Sequence, residues 1–310
     1  MTLVPVAMIV VALFAFTRIQ AARYSRIFPP IGTFKTIDGH KMHYIDVPPA
    51  AKTSLPPAVF VHGASGNLRD QMLAFREKMA GSRRLIFIDR PGHGYSGRDP
   101  ENGHDPSRQA EAIDKLLQEL KIPEAVMVGH SFGGAIIAAF GVHFPERTRG
   151  LVFLAPATHP WPGGISWYYN IATIPLVGFL FTELLTLPAG MVQMKRGIEG
   201  VFAPDKPPEH YFQESGTELV LRPETFRNNA KDVACLHKSV SALSPRYREI
   251  KSPTVIITGD SDDVVLAHIH SEGLARDIAG AKLVWFKNMG HKPDFAATAT
   301  AIEAINEVSI

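Results

Sequence analysis

The strongest chemical signal in the chain is the run Gly129-His130-Ser131-Phe132-Gly133. An apolar strand pattern, AVMVGH from Ala125 to His130, precedes the serine, and a helix pattern from Ser131 to Phe144 follows it. G-x-S-x-G between a strand and a helix holds a serine hydroxyl on a tight, exposed corner. A Cβ at 129 or 133 would crowd the neighbouring backbone there, which explains two glycines. The helix N-terminus also favours negative charge that develops beside Ser131. A glycine turn used only for packing would give the same letters, but not the same flanking elements.

Serine is a weak nucleophile without a base. The chain has 13 histidines, so residue type alone selects none. His291 has the best position, in NMGHKPD after the last apolar strand, on the end of the sheet where Ser131 would lie. His130 should point away from the serine, His62 should shape a loop, and His237 suits the surface. A histidine base needs an acid to fix its tautomer. The loop after TVIITG, Thr254 to Gly259, offers Asp260, Asp262 and Asp263, and spacing alone does not separate them. Acyl transfer also needs donors for a developing oxyanion. The backbone N–H of Phe132 is one candidate. That of Ala64, in HGASG at 62–66, is the other.

The elements that must position these groups alternate along the chain. Apolar strands at Ala58–Gly63, Arg84–Asp89, Ala125–His130, Leu151–Ala155, Thr254–Gly259 and Lys282–Lys287 interleave with helices. A short turn and an alternating strand lie within 37–47. Helices are expected at Leu68–Met79, after Asp105-Pro106-Ser107, and from about Phe295 to Val308. Uniformly apolar strands between helices imply a mostly parallel sheet covered on both faces. The long stretch between Ala155 and Thr254 breaks that rhythm. It reads as a helical insertion divided by Pro175, Pro188 and Pro204, serving as a lid.

With these pieces in view, the sequence resembles the α/β-hydrolase superfamily in its lid-bearing serine hydrolase branch, esterase- and lipase-like. HGASG at 62–66, DRPGHGYSG at 89–97, GHSFGG at 129–134, TGDSDD at 258–263 and GHKP at 290–293 carry the resemblance, from about residue 32 to 308. It implies a mostly parallel eight-stranded sheet flanked by helices, with a helical lid after strand six. It implies Ser131 as nucleophile, His291 as base, Asp262 as the acid of G-x-x-D, and Ala64 and Phe132 as oxyanion donors. The cofactor-free haloperoxidases and epoxide hydrolases are also similar, but the dehalogenases and soluble epoxide hydrolases carry aspartate where this chain has Ser131.

The domains expected are an apolar anchor at 1–28, a core at 29–158 and 251–310, and a lid at 159–250. The expected reaction is hydrolysis of a small to medium apolar carboxylic ester, with no metal and no organic cofactor. The alternative uses of the same site are carbon–carbon bond or amide hydrolysis and peracid formation.

Composition narrows the classes further. Lys+Arg 32 against Asp+Glu 30 gives a net charge of +2, no electrostatic case for nucleic acid. The lone Cys235 excludes an intrachain disulfide. Met1 to Thr17 carry no charge, and Arg18, Arg23 and Arg26 follow without an acid before residue 30. That pattern fits a membrane anchor with the body on the cytoplasmic side. A cleaved signal or a soluble protein with a packed apolar helix are the alternatives. A second span at Ile171–Val192 is disfavoured by Glu183 and two prolines.

Overall fold

The computed structural model describes residues 3–310. Eight strands form one sheet in the order β1-β2-β4-β3-β5-β6-β7-β8. They are β1 (Thr33–Ile37), β2 (His40–Val47), β3 (Ala58–Val61), β4 (Leu85–Ile88), β5 (Ala125–His130), β6 (Thr148–Leu154), β7 (Thr254–Gly259) and β8 (Lys282–Phe286). β2 runs antiparallel to β1 and β4, and every other pairing is parallel. The expected eight-stranded, mostly parallel α/β sheet is therefore the observed one.

Twelve α-helices accompany the sheet among the described residues: α1 (Leu3–Ile27), α2 (Leu68–Met79), α3 (Pro106–Glu119), α4 (Phe132–His143), α5 (Trp167–Thr173), α6 (Val177–Phe181), α7 (Leu187–Phe202), α8 (Tyr211–Glu214), α9 (Pro223–Leu243), α10 (Ala267–Asp277), α11 (Pro293–Ala296) and α12 (Thr298–Glu307). Two-sided burial explains the unbroken apolar strands. Val59 and Val61 of β3 pack on the face that holds α3 and α4. Ala58 and Phe60 pack on the opposite face, against α2 and α12. Helix starts follow from local chemistry. Asp105 accepts a hydrogen bond from Ser107 N at 2.8 Å ahead of α3, and Asn67 accepts one from Arg69 N at 3.0 Å ahead of α2.

The residues between β6 and β7 are largely helical, from α5 to α9. Pro175 does separate α5 from α6. Pro188 does not break the chain as expected. It sits in the first turn of α7, directly after a π-helical turn at Thr182–Thr186. The wider turn absorbs the irregularity, so one helical rod runs from Val177 to Phe202. Two elements have no sequence reading of their own: β1, which the expected short turn at Asp38-Gly39 joins to the sheet edge, and α10 after β7.

Helix α1 is longer than the apolar run and includes all three arginines. Met1 and Thr2 lie outside the described residues. From Leu13 onward one face of α1 packs on the insertion, where Ala21 and Tyr24 meet Leu187, Val220 and Leu221. Arg18 pairs with Glu183 at 2.9 Å. The helix is thus half docked and half free.

The insertion is bolted to the core by charge. Asp232 of α9 is fully buried and pairs with Arg90 at 2.9 Å and with Arg98. Removing a buried carboxylate strands both guanidinium groups, so Asp232→Ala should lower unfolding free energy by about 3–5 kcal/mol. Urea titration measures this, with Glu119→Ala as the control. Glu119 pairs with Lys35 on the surface, and its loss should change little.

Candidate active site

The β5–α4 corner is as tight as its glycines require. A Cβ on Gly133 would lie 2.1 Å from the Val61 carbonyl oxygen, and one on Gly129 would lie 2.6 Å from that of Gly133. Ser131, between them, adopts φ 52° and ψ −118°, a backbone state costly for a side chain with a Cβ. Three hydrogen bonds hold it there. Ser131 N donates to Leu154 O at 3.0 Å, and Ser131 O accepts from Gly134 N at 2.8 Å and Ala157 N at 3.0 Å. The hydroxyl caps no N–H of α4 and lines a cavity of about 1340 Å³.

His291 lines the same cavity. Its Nδ1 donates to Asp262 Oδ2 at 2.7 Å, and the other oxygen of Asp262 accepts from Val264 N and Val265 N at 2.9 and 2.8 Å. Both the ring and the carboxylate are buried. With the proton on Nδ1, the Nε2 lone pair is free to act as a base. Of the three acids that spacing left open, only Asp262 reaches His291. Asp260 instead accepts from Asn288 N at 2.7 Å, and Asp263 is exposed. The hydrogen bonds therefore join His291 to Asp262 and not to Ser131, which shares only the cavity wall with it.

Ala64 and Phe132 also line the cavity, and no backbone carbonyl among the described residues takes either N–H. The neighbouring Ser65 N–H is used, donating to Asn229 Oδ1 of α9 at 2.7 Å. Arg90 braces the same loops. Its guanidinium lies 4.5 Å above the Phe132 ring and donates to Gly63 O and Gln109 Oε1.

His130 differs from expectation, because it lines the cavity rather than turning away. Its Nε2 donates to the His291 carbonyl at 2.7 Å, which fixes the loop carrying His291. Burial, then Lys292 and His291, pushes its pKa well below the ordinary value. His62 behaves as a loop-shaping residue, with Nδ1 donating to Gly63 O and Nε2 accepting from Arg90 N. His237 is exposed.

One cluster gave no sequence signal. Lys292 is buried beside the cavity and pairs with Asp70 at 2.8 Å and Asp294 at 2.9 Å. Tyr211 of α8 donates to the other oxygen of Asp70 at 2.8 Å. Burial disfavours the Lys292 charge, but the two carboxylates outweigh it and raise its pKa. Burial pushes Asp294 up to about 6, with Lys292 opposing. Asp70, His130 and Asp294 come close enough to ligate a cation, but the Lys292 ammonium already bridges the two acids.

The sequence model of the alpha/beta hydrolase family matches residues 58–305, and the chain belongs to that family. A 2-hydroxy-6-oxononadienedioate/2-hydroxy-6-oxononatrienedioate hydrolase from Escherichia coli O139:H28 is 26% identical over 209 residues, 67% of this chain and 70% of that protein. Among solved structures, an esterase from Exiguobacterium antarcticum superposes with a TM-score of 0.69 at 20% identity, covering 90% of this chain and 100% of its own. A protein named Cfl2 from Burkholderia cenocepacia superposes at 0.71 and 16% identity, over 89% and 94% of the two chains. These two likenesses concern the fold.

The buried histidines set an acid limit. His62, His93 and His130 are held well below their ordinary pKa, and His270 is lowered to about 4, each chiefly by burial. Below about pH 6.5 the unfolded chain takes up protons that the fold refuses, which costs roughly 1.4 kcal/mol per pH unit per proton. Asp294 works the other way, because its raised pKa favours the fold as pH falls from about 6 toward 3.8. Four histidines outweigh one carboxyl. The urea midpoint should fall steadily from pH 7 to pH 5, as denaturation at fixed ionic strength will measure.

Proposed function

We propose that this member of the alpha/beta hydrolase family is a serine hydrolase that cleaves a carboxylic ester of a small to medium apolar substrate. The observation that carries this reading is the Asp262–His291 hydrogen bond on the wall that also presents the strained Ser131. In the proposed reaction His291 Nε2 takes the Ser131 proton as Oγ attacks the ester carbonyl. The N–H groups of Ala64 and Phe132 receive the oxyanion. The alcohol leaves with the proton from His291, and an acyl-enzyme remains. Water, deprotonated by the same histidine, then releases the acid. Asp262 stays ionised and stabilises the imidazolium. The steps use no metal or organic cofactor.

Lining chemistry favours an uncharged substrate. Trp161, Tyr168, Phe181, Leu221 and Phe226 contribute to the cavity wall, and the Lys292 charge beside it is matched by Asp70 and Asp294. The insertion supplies most of the apolar wall and in this reading serves as the lid. Helix α1 serves as a membrane anchor with the body on the cytoplasmic side, consistent with the three arginines that follow its apolar part.

A second reading, carbon–carbon bond hydrolysis, draws support from the Escherichia coli relative at 26% identity. That relative is named for a dioate, a doubly anionic compound. Within the cavity Lys292 is matched by Asp70 and Asp294, and the other lining cation, Arg196, is solvent-exposed, so no buried unmatched cation is in place to receive one, which favours the ester.

The test is steady-state hydrolysis of short to long p-nitrophenyl esters. Ser131→Ala should reduce kcat by about 10⁴-fold or more, and Asp262→Asn by about 10³–10⁴-fold, with small changes in KM. Equal turnover by the wild type and Ser131→Ala would overturn the assignment. Turnover of a vinylogous diketone in preference to every ester would move it to the second reading.

A further inference from the structure

We propose that the face of the insertion beside α1 docks on a lipid bilayer, so that the cavity opens toward the hydrocarbon and draws a lipophilic neutral ester from the membrane. The substrate part rests on the ester reading above, and the docking part does not.

Three observations converge on that face. The first is a free apolar helix end. Residues 4–12 of α1 are exposed on every side and contain no charge. A protein groove covers one stripe of a helix, whereas a helix apolar all round is satisfied by lipid. These nine residues rise about 14 Å, about half of a ~30 Å hydrocarbon layer. The apolar stretch runs on to Thr17, past Leu13, where α1 already lines the cavity. Burying that stretch in lipid therefore brings the insertion down onto the membrane surface.

The second observation is the insertion's own surface. Ile174, Leu176, Phe179, Leu180 and Val192 are exposed, Leu176 at 73% and Val192 at 84%. Glu183 is the only charged side chain between Arg149 and Lys195. It is 1% exposed and paired with Arg18 of α1 and Arg227 of α9. The ion pairs thus withdraw the one carboxylate of that stretch from the surface, and they do so through α1 itself. Scattered exposed apolar side chains are ordinary, but a dense set of them on α1 and on the segment it packs against marks an interaction site.

The third observation is the position of the cavity. Leu13, Trp167 and Leu185 line it, and Trp167 and Leu185 are also 65% and 50% exposed. The mouth therefore lies within the apolar field. A tryptophan at that level suits the headgroup boundary, where its ring is at home. A neutral ester dissolved in the bilayer would reach Ser131 without passing through water.

The experiment uses the full chain reconstituted in phosphatidylcholine–phosphatidylglycerol vesicles. Brominated lipids should quench the wild type more than Trp167→Phe, with the other two tryptophans as a common background. Independently, the Leu180→Glu/Val192→Glu double variant changes side chains outside the cavity wall. It should turn over a short water-soluble ester within about twofold of the wild type, while turnover of a long-chain ester embedded in the vesicles falls by about tenfold. Equal quenching of the wild type and Trp167→Phe would overturn the docking. So would a double variant that stays folded and handles both esters as the wild type does. A wild type that hydrolyses neither ester would remove the ester reading instead, and Trp167 quenching would still decide the docking.

Discussion

Arg90 is a charge with no access to water, and the site is assembled around satisfying it. A buried guanidinium is tolerated only when paired and hydrogen-bonded on several sides. Here the partners come from separate regions of the chain: Gly63 O in the loop after β3, Gln109 in α3, Asp232 in α9 and the face of Phe132 at the start of α4. The candidate oxyanion loop, the candidate nucleophile corner and the insertion therefore meet on one side chain. Their relative positions are set by electrostatics as well as by packing.

Much of the site was legible because its chemistry is local. The corner at Ser131 needs glycines two positions either side, and the consequence is visible within five letters. Strands buried on both faces announce themselves by unbroken apolar runs, and Ala125–His130 and Thr254–Gly259 fall where the pattern put them. Asp260, Asp262 and Asp263 could not be told apart by spacing, since all three sit on one loop. The backbone path after β7 is what turns only Asp262 toward His291. Pro188 misled for the opposite reason, because a proline tolerated in a first helical turn looks the same in sequence as one that ends a helix.

What stayed illegible depends on residues far apart in the chain. Lys292 meets Asp70, Arg90 meets Asp232, and Ser65 meets Asn229, and no periodicity encodes these pairs. Such contacts also explain the abundance of histidine. His62, His93, His130 and His270 are buried, and their nitrogens serve as fixed donors and acceptors for the backbone around the cavity. One of them, His130, packs its ring against that of His291, with centroids 4.9 Å apart, and holds the His291 carbonyl.

The bond between Ser65 and Asn229 bears on how this insertion can be exchanged or diversified. Asn229 accepts from Ser65 N and donates to Ser65 Oγ, one residue beyond Ala64. Asp232, a turn further along α9, closes the arginine network. Helix α9 thus belongs mechanically to the frame of the candidate site, although in sequence it belongs to the insertion. The modular unit is shorter than the stretch between β6 and β7. A graft that replaces α5 to α8 keeps the frame intact, whereas one that also replaces α9 must carry Asn229 and Asp232 with it or rebuild the loop that holds Ala64.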